Sequence, residues 1–119
     1  AEEIFETGSI SIYGILFDFD KADIKPESDS TIKEIATLLN NNPDLKLFIV
    51  GHTDNKGSLD YNTNLSQTRA EAVVAVLVSD HGIESGRVTP KGLAFLAPVA
   101  SNSSEEGRAK NRRVELVEY

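Results

Sequence analysis

Asp54 and Arg69 are the two residues of this chain whose types and setting most clearly ask for chemistry. Asp54 sits in Gly51-His52-Thr53-Asp54-Asn55-Lys56-Gly57, a polar loop bracketed by glycines. Arg69 sits in the segment that follows, Asn62-Thr63-Asn64-Leu65-Ser66-Gln67-Thr68-Arg69-Ala70. On a helical wheel Arg69 falls in the middle of the apolar arc formed by Leu65, Ala72, Val73 and Val76. An unpaired cation inside such an arc is costly, so its charge must reach water, a carboxylate or a ligand. Asp54 is the natural carboxylate. A loop that leaves a strand and enters a helix commonly carries function, and glycines let backbone approach a small molecule closely. A structural salt bridge and a ligand site both fit these residues.

Weaker constellations have plainer readings beside them. Asp18-x-Asp20-x-x-Asp23 offers oxygens to a hard cation, but lacks the glycine and late glutamate of an EF-hand loop, so turn or capping roles are expected. His52 near Asp54 resembles a general base, yet no motif places a nucleophile, and no enzyme is expected. Arg108, Arg112 and Arg113 form a basic cluster that should pair with Glu105, Glu106 and Glu115.

The elements that position these residues alternate between strand and helix. Residues 10–18 read as a first strand through Ile10, Ile12 and Leu16. Pro26 suits a helix start, and Ile32, Ile35, Ala36 and Leu39 repeat at helical spacing until Asn40-Asn41-Asn42-Pro43 stops them. Residues 45–50 form a second strand, 60–80 a helix stopped near Gly82, and 87–91 a short third strand. A long irregular connection over 93–111 precedes a final strand over 112–119. In that strand Arg112, Val114 and Leu116 share the inner face, while Arg113 and Glu115 face solvent. The order β-α-β-α-β-β predicts an α/β (α+β) two-layer sandwich, with a mixed sheet and helices on one face.

Composition narrows the partners. A chain of 119 residues is expected to be one domain with its own core, residues 1–9 being a lead-in. A net charge of −7 argues against nucleic acid, and any anionic partner needs a local site because the overall field repels it. With no cysteine and two histidines, disulfides, thiol chemistry and a conventional zinc site are not expected. No apolar run is long enough for a membrane-spanning helix.

Four segments together resemble the OmpA-like peptidoglycan-binding domain of outer-membrane proteins, peptidoglycan-associated lipoproteins and flagellar stator proteins. They are Phe17-Asp18-Phe19-Asp20-Lys21-Ala22-Asp23-Ile24, Gly51-His52-Thr53-Asp54-Asn55, Asn62-x-x-Leu65-Ser66-x-x-Arg69-Ala70, and Gly107-Arg108-Ala109-x-Asn111-Arg112-Arg113-Val114. The likeness runs over residues 10–117. It implies non-covalent binding of peptidoglycan through the diaminopimelate of the stem peptide, without catalysis or cofactor. It also implies a periplasmic place at the wall of a Gram-negative envelope, tethered to the outer membrane by a segment outside this sequence. By position, Asp54 and Arg69 match the family's ligand-binding acid and base. Asp18, Asn62 and Leu65 match pocket positions, with Asn62 also expected to cap the helix. Phe17, Thr53 and Asn55 lie in the matching segments, and Arg112 in the double-arginine motif. Diaminopimelate carries an ammonium and a carboxylate on one carbon: Asp54 would accept from the first, and Arg69 would grip the second with two parallel N–H bonds. Asp54 and Arg69 are expected to touch in the empty site. Two other readings stand beside this one: an envelope assembly module with Asp54–Arg69 as a structural salt bridge, and a metal-dependent hydrolase built on the Asp18 loop and His52.

Overall fold

The computed structural model describes residues 2–15, 17 and 22–119. Its elements are α1 (Glu2–Thr7), β1 (Ser9–Ile12), α2 (Asp29–Asn41), β2 (Leu47–His52), α3 (Leu59–His81), β3 (Val88–Gly92), α4 (Glu105–Asn111) and β4 (Arg113–Glu118). The sheet order is β1-β4-β2-β3, with β2 and β3 parallel and β4 antiparallel to both β1 and β2. This is the expected mixed sheet, the parallel pair being joined by α3.

Helices cover one face of that sheet. Leu47 and Ile49 of β2 and Val114 and Leu116 of β4 point into a core completed by Ile32, Ile35 and Leu39 of α2 and Val73 and Leu77 of α3. Ile4 of α1 joins the same core and is fully buried. The period-two pattern of the strands and the 3.6-residue spacing of α2 meet here, and burying such apolar side chains contributes about 25 cal/mol per Å². Pro26 opens a 3-10 turn, Pro26–Ser28, that runs straight into α2. Asn42 closes α2, its side-chain amide donating to the Leu38 carbonyl at 2.9 Å. Gly82 ends α3 in the left-handed conformation, φ 68°, as its position after the last periodic residue predicts.

Four expectations need correction. The first strand is shorter than predicted: β1 stops at Ile12, and Phe17 instead bridges antiparallel to Ile24. The lead-in holds a helix, α1, and the irregular connection holds another, α4, capped by the Ser104 hydroxyl, which accepts from the Gly107 N–H at 3.1 Å. Both are too short to stand alone, so tertiary contacts rather than periodicity support them. Arg113 does not face solvent. It points away from the helices, as alternation requires, but the returning segment covers it, and it donates to the Ala97 carbonyl at 3.0 Å.

The fourth correction concerns α3. Its buried stripe runs through Asn62, Ser66, Ala70, Val73 and Leu77, roughly a quarter turn from the arc read from hydropathy. The first two members of that stripe are polar, which hides them from an apolar search. Arg69 therefore lies on the flank of the helix, half-buried, rather than at the centre of its packed face.

Candidate functional site

The site forms at the carboxyl ends of the parallel strands β2 and β3, where ligands commonly bind in α/β sheets. Two glycines paired in the ladder, Gly51 and Gly92, bring α3 close to this end. A Cβ at Gly51 would stand 2.5 Å from the Ser66 carbonyl oxygen, and one at Gly92 would stand 2.3 Å from the Gln67 nitrogen. Gln67 ties the approach, its side-chain oxygen accepting from the Gly92 N–H at 2.8 Å. Gly51 thus serves helix packing, and it also lines the cavity described below. Gly57, at φ 92°, supplies the left-handed turn that ends the loop.

The loop carrying Asp54 is braced from both sides. The Thr53 N–H donates to the Ala94 carbonyl at 2.8 Å, and its hydroxyl donates to the Asp54 carbonyl at 2.8 Å. Ala94 is buried with φ 51°, and its N–H donates to the Ser66 hydroxyl at 3.0 Å. Ser58 caps α3 by accepting from the Tyr61 N–H at 3.1 Å. Asn62 is therefore not the cap: its side-chain amide donates to the carbonyls of Lys56 and Ser58, at 2.8 and 3.0 Å, locking the loop to the helix.

With the loop fixed, Asp54 points its carboxylate at the returning strand. One oxygen accepts from the Lys56 N–H at 3.0 Å, and the other from Nη1 of Arg112 at 2.7 Å. Among the described residues, Asp54 forms its ion pair with Arg112 and not with Arg69, so the expected Asp54–Arg69 contact of the assembly reading is replaced by Asp54–Arg112. Arg69 lies with its guanidinium carbon 4.8 Å from the centre of the Phe17 ring, a cation–π arrangement. Arg69, Arg112 and Phe17 line one cavity of about 470 Å³, together with Tyr13, Ile15 and His52. Arg112 also donates through Nη2 to Glu105 at 2.6 Å, and its two carboxylate partners hold its protonated form more firmly than usual, Glu105 contributing most.

Of the residues singled out in the sequence, the structure brings Arg69, Phe17 and Arg112 to the cavity wall and Asp54 onto Arg112. Thr53 and Asn62 are buried bracing residues, Leu65 is half-buried outside that wall, and Asn55 is exposed. Asp18 lies outside the described residues, as does Asp20 of the suggested cation loop. Among the described residues, no group of three His, Cys, Asp or Glu side chains could hold a metal.

Sequence reasoning missed the organiser of the returning segment, Asn111. It is fully buried, accepts from the Val99 and Ala100 N–H groups at 2.7 and 3.1 Å, and donates to the Ala100 carbonyl at 2.8 Å. A Cβ at Gly107 would overlap the Ser101 carbonyl, so this turn of α4 tolerates only glycine. Behind the cavity, His52 and Glu115 meet at 2.9 Å, with Arg113 3.7 Å from the same carboxylate oxygen. A carboxylate only accepts, so Nε2 of His52 carries the proton and donates. Burial, aided by Arg113 and opposed by Glu115, pushes the His52 pKa below its ordinary 6.5, which keeps the ring neutral at neutral pH. Nδ1 of His52 and Nε of Arg113 are buried without hydrogen-bond partners among the described residues.

Fold and site together define a small α/β domain with a charged cleft at the ends of its parallel strands. Comparison with known proteins places it: the model of the OmpA family matches residues 16–112, and the chain belongs to that family. It is 46% identical over 101 residues to outer membrane porin F of Pseudomonas aeruginosa, covering 85% of this chain and 29% of the porin. Peptidoglycan-binding protein ArfA of Mycobacterium bovis is 41% identical over 103 residues, 87% of this chain and 31% of that protein. The chain thus spans less than a third of either relative. The crystal structure of the peptidoglycan-associated lipoprotein from Burkholderia pseudomallei superposes with a TM-score of 0.78 at 32% identity, covering 96% of this chain and 92% of that one. Among the described residues, no helix is long and apolar enough to cross a membrane.

Proposed function

We propose that this domain binds peptidoglycan without catalysis, through the diaminopimelate of the stem peptide, and anchors an envelope protein of a Gram-negative bacterium to its wall. In this reading it works in the periplasm, held to the outer membrane by a segment beyond the present sequence. The observation that carries the reading is that Arg69 and Arg112 line one cavity while the Asp54 carboxylate is bonded to Arg112. A side chain with an ammonium and a carboxylate on one carbon needs such a set of opposite charges, held in place before it arrives.

Asp54 is suited to the ammonium. Each of its oxygens accepts one described hydrogen bond, and a carboxylate oxygen has room for a second. Arg69 takes the ligand carboxylate, with its guanidinium held over the Phe17 ring. Thr53, Asn62 and Leu65 then support the pocket, and Asn55 and Asp18 keep the roles their positions in the family imply. The names of ArfA and of the lipoprotein support the wall as partner, and that of the porin supports the outer membrane.

The test is sedimentation with purified peptidoglycan, using variants whose fold is checked by circular dichroism. Asp54→Ala and Arg69→Ala should each weaken binding by at least ~30-fold, the scale of a charge-assisted contact of roughly 2 kcal/mol. A muropeptide with lysine in place of diaminopimelate lacks the second carboxylate and should bind comparably poorly. Full retention by both folded variants would overturn the assignment.

A further inference from the structure

Glu105 occupies a position that a ligand carboxylate could take. Its Oε2 accepts from Nη2 of Arg112 at 2.6 Å, and its Oε1 accepts from Nε of Arg108 at 3.2 Å. One carboxylate therefore bridges two guanidinium groups, oxygen by oxygen. Those guanidiniums are anchored from behind: Arg112 by Asp54 at 2.7 Å, and Arg108 by the Asn102 carbonyl at 3.0 Å. The asymmetry lies in exposure. The side chain of Glu105 is 61% exposed and that of Arg108 only 21%. Exposed ion pairs contribute little, so replacing Glu105 with another carboxylate costs little. The two arginines hold the Glu105 carboxyl below the usual carboxylate range, Arg112 contributing most, so it is charged at neutral pH and competes for them.

We infer that Arg108 and Arg112 form a second carboxylate subsite beside the cavity, filled in the free protein by the domain's own Glu105 and opened to a ligand when that carboxylate is displaced. The inference rests on the wall-binding reading above and adds a selectivity to it. Arg112 lines the cavity, so a ligand whose zwitterionic end lies between Asp54 and Arg69 can direct a further carboxylate at Arg112 and Arg108. A stem peptide that ends at diaminopimelate with its main-chain carboxyl free has that group. The same peptide with this carboxyl amidated does not. Glu105 then acts as a built-in competitor that sets a threshold: ligands with the extra carboxylate displace it, and ligands without it leave it in place.

Calorimetric titration of the whole chain with these two peptides tests the subsite. The wild type should bind the free acid ~3- to 10-fold more tightly than the amide, the range expected for one exposed charge-assisted contact. Glu105→Gln removes the competing charge and should widen that ratio, mainly by tightening the free acid. Arg108→Gln should narrow it. Asp54→Asn reports on the parent reading and should weaken both peptides alike. Equal affinities for acid and amide in the wild type, or an unchanged ratio in Glu105→Gln, overturn the subsite even if Asp54→Asn abolishes binding. Loss of affinity for both peptides in folded Glu105→Gln overturns it as well, since a competitor's removal cannot weaken the ligand. If instead Asp54→Asn binds like the wild type, the parent reading falls, and the acid-to-amide ratio still decides the subsite.

Discussion

Arg87 and Arg112 stand at opposite ends of the sheet, and their partners differ in kind. At the end where β2 and β3 begin, Arg87 donates through Nη2 to the carbonyls of Leu39 and Asn42, each at 2.8 Å, and through Nε to that of Leu45 at 3.1 Å. These carbonyls belong to the end of α2 and its exit turn, where those of Leu39 and Asn42 also accept from main-chain N–H groups, and a cation there suits the helix dipole. At the opposite end Arg112 reaches two side-chain carboxylates, Asp54 and Glu105. A ligand can offer a carboxylate in exchange for another, but it cannot replace three main-chain carbonyls without unwinding the helix they belong to. The end satisfied by backbone is a clamp. The end satisfied by side chains can trade partners, and that is where the cavity opens.

The comparison would break most visibly at Asn111, because it lies at the binding end yet is satisfied mainly by backbone, with one further bond to the Asn102 side chain. Asn111→Ala should cost about 3 kcal/mol, since the Val99 and Ala100 N–H groups and the Ala100 carbonyl lose a buried partner. Urea denaturation would show this as a lower midpoint, and a change under ~1 kcal/mol would mean that water satisfies those groups. Next come the two arginines side by side. Arg87→Ala should lower stability by roughly 2 kcal/mol and leave peptidoglycan binding per folded molecule unchanged. Arg112→Ala should do the reverse, costing about 1 kcal/mol, because its side chain is 43% exposed while that of Asp54, still bonded to the Lys56 N–H, is 12% exposed, and it should weaken binding. If both variants lose stability and binding together, the distinction between clamp and exchangeable end fails.

The same distinction explains what could be read in the chain before folding. Strands β2, β3 and β4, the two long helices and the stops at Asn42 and Gly82 follow from periodicity and turn chemistry, and they sit within a few residues of where those rules put them. Alternation correctly paired Val114 with Leu116 on the helix-covered face. It could not show that a second layer of chain would bury Arg113 on the other face, because pattern reports which residues share a face and not what covers it. That Arg69 needs a partner was legible, but its setting was not: Asn62 and Ser66 belong to the buried stripe through hydrogen bonds, and hydropathy does not register them. The exchange of Asp54's expected partner has a similar origin. Arg69 is near in sequence, whereas Arg112 arrives through the sheet pairing of β2 with β4, a long-range contact that local spacing cannot supply.

The smallest effect belongs to His52, which lies behind the exchangeable end but is itself locked. Its ring is 1% exposed, donates to Glu115, and stands beside Arg113 across the ladder. Because burial and Arg113 depress its pKa below 6.5 in the folded protein, the unfolded chain takes up this proton more readily. Where the unfolded state binds more protons, stability rises with pH, so the contribution is complete above about pH 6.5 and declines as the pH falls toward the folded value. Glu115 opposes the shift, which limits its size. Denaturation midpoints between pH 7.5 and 5 should therefore fall on acidification, and fall less in His52→Gln, whose amide can keep the bond to Glu115 without titrating. Identical slopes in the two proteins would assign the acid sensitivity to carboxylates alone. A smaller slope in the variant would show that the floor of the cleft is held by a neutral histidine, a third kind of support beside the carbonyl clamp and the exchangeable carboxylates.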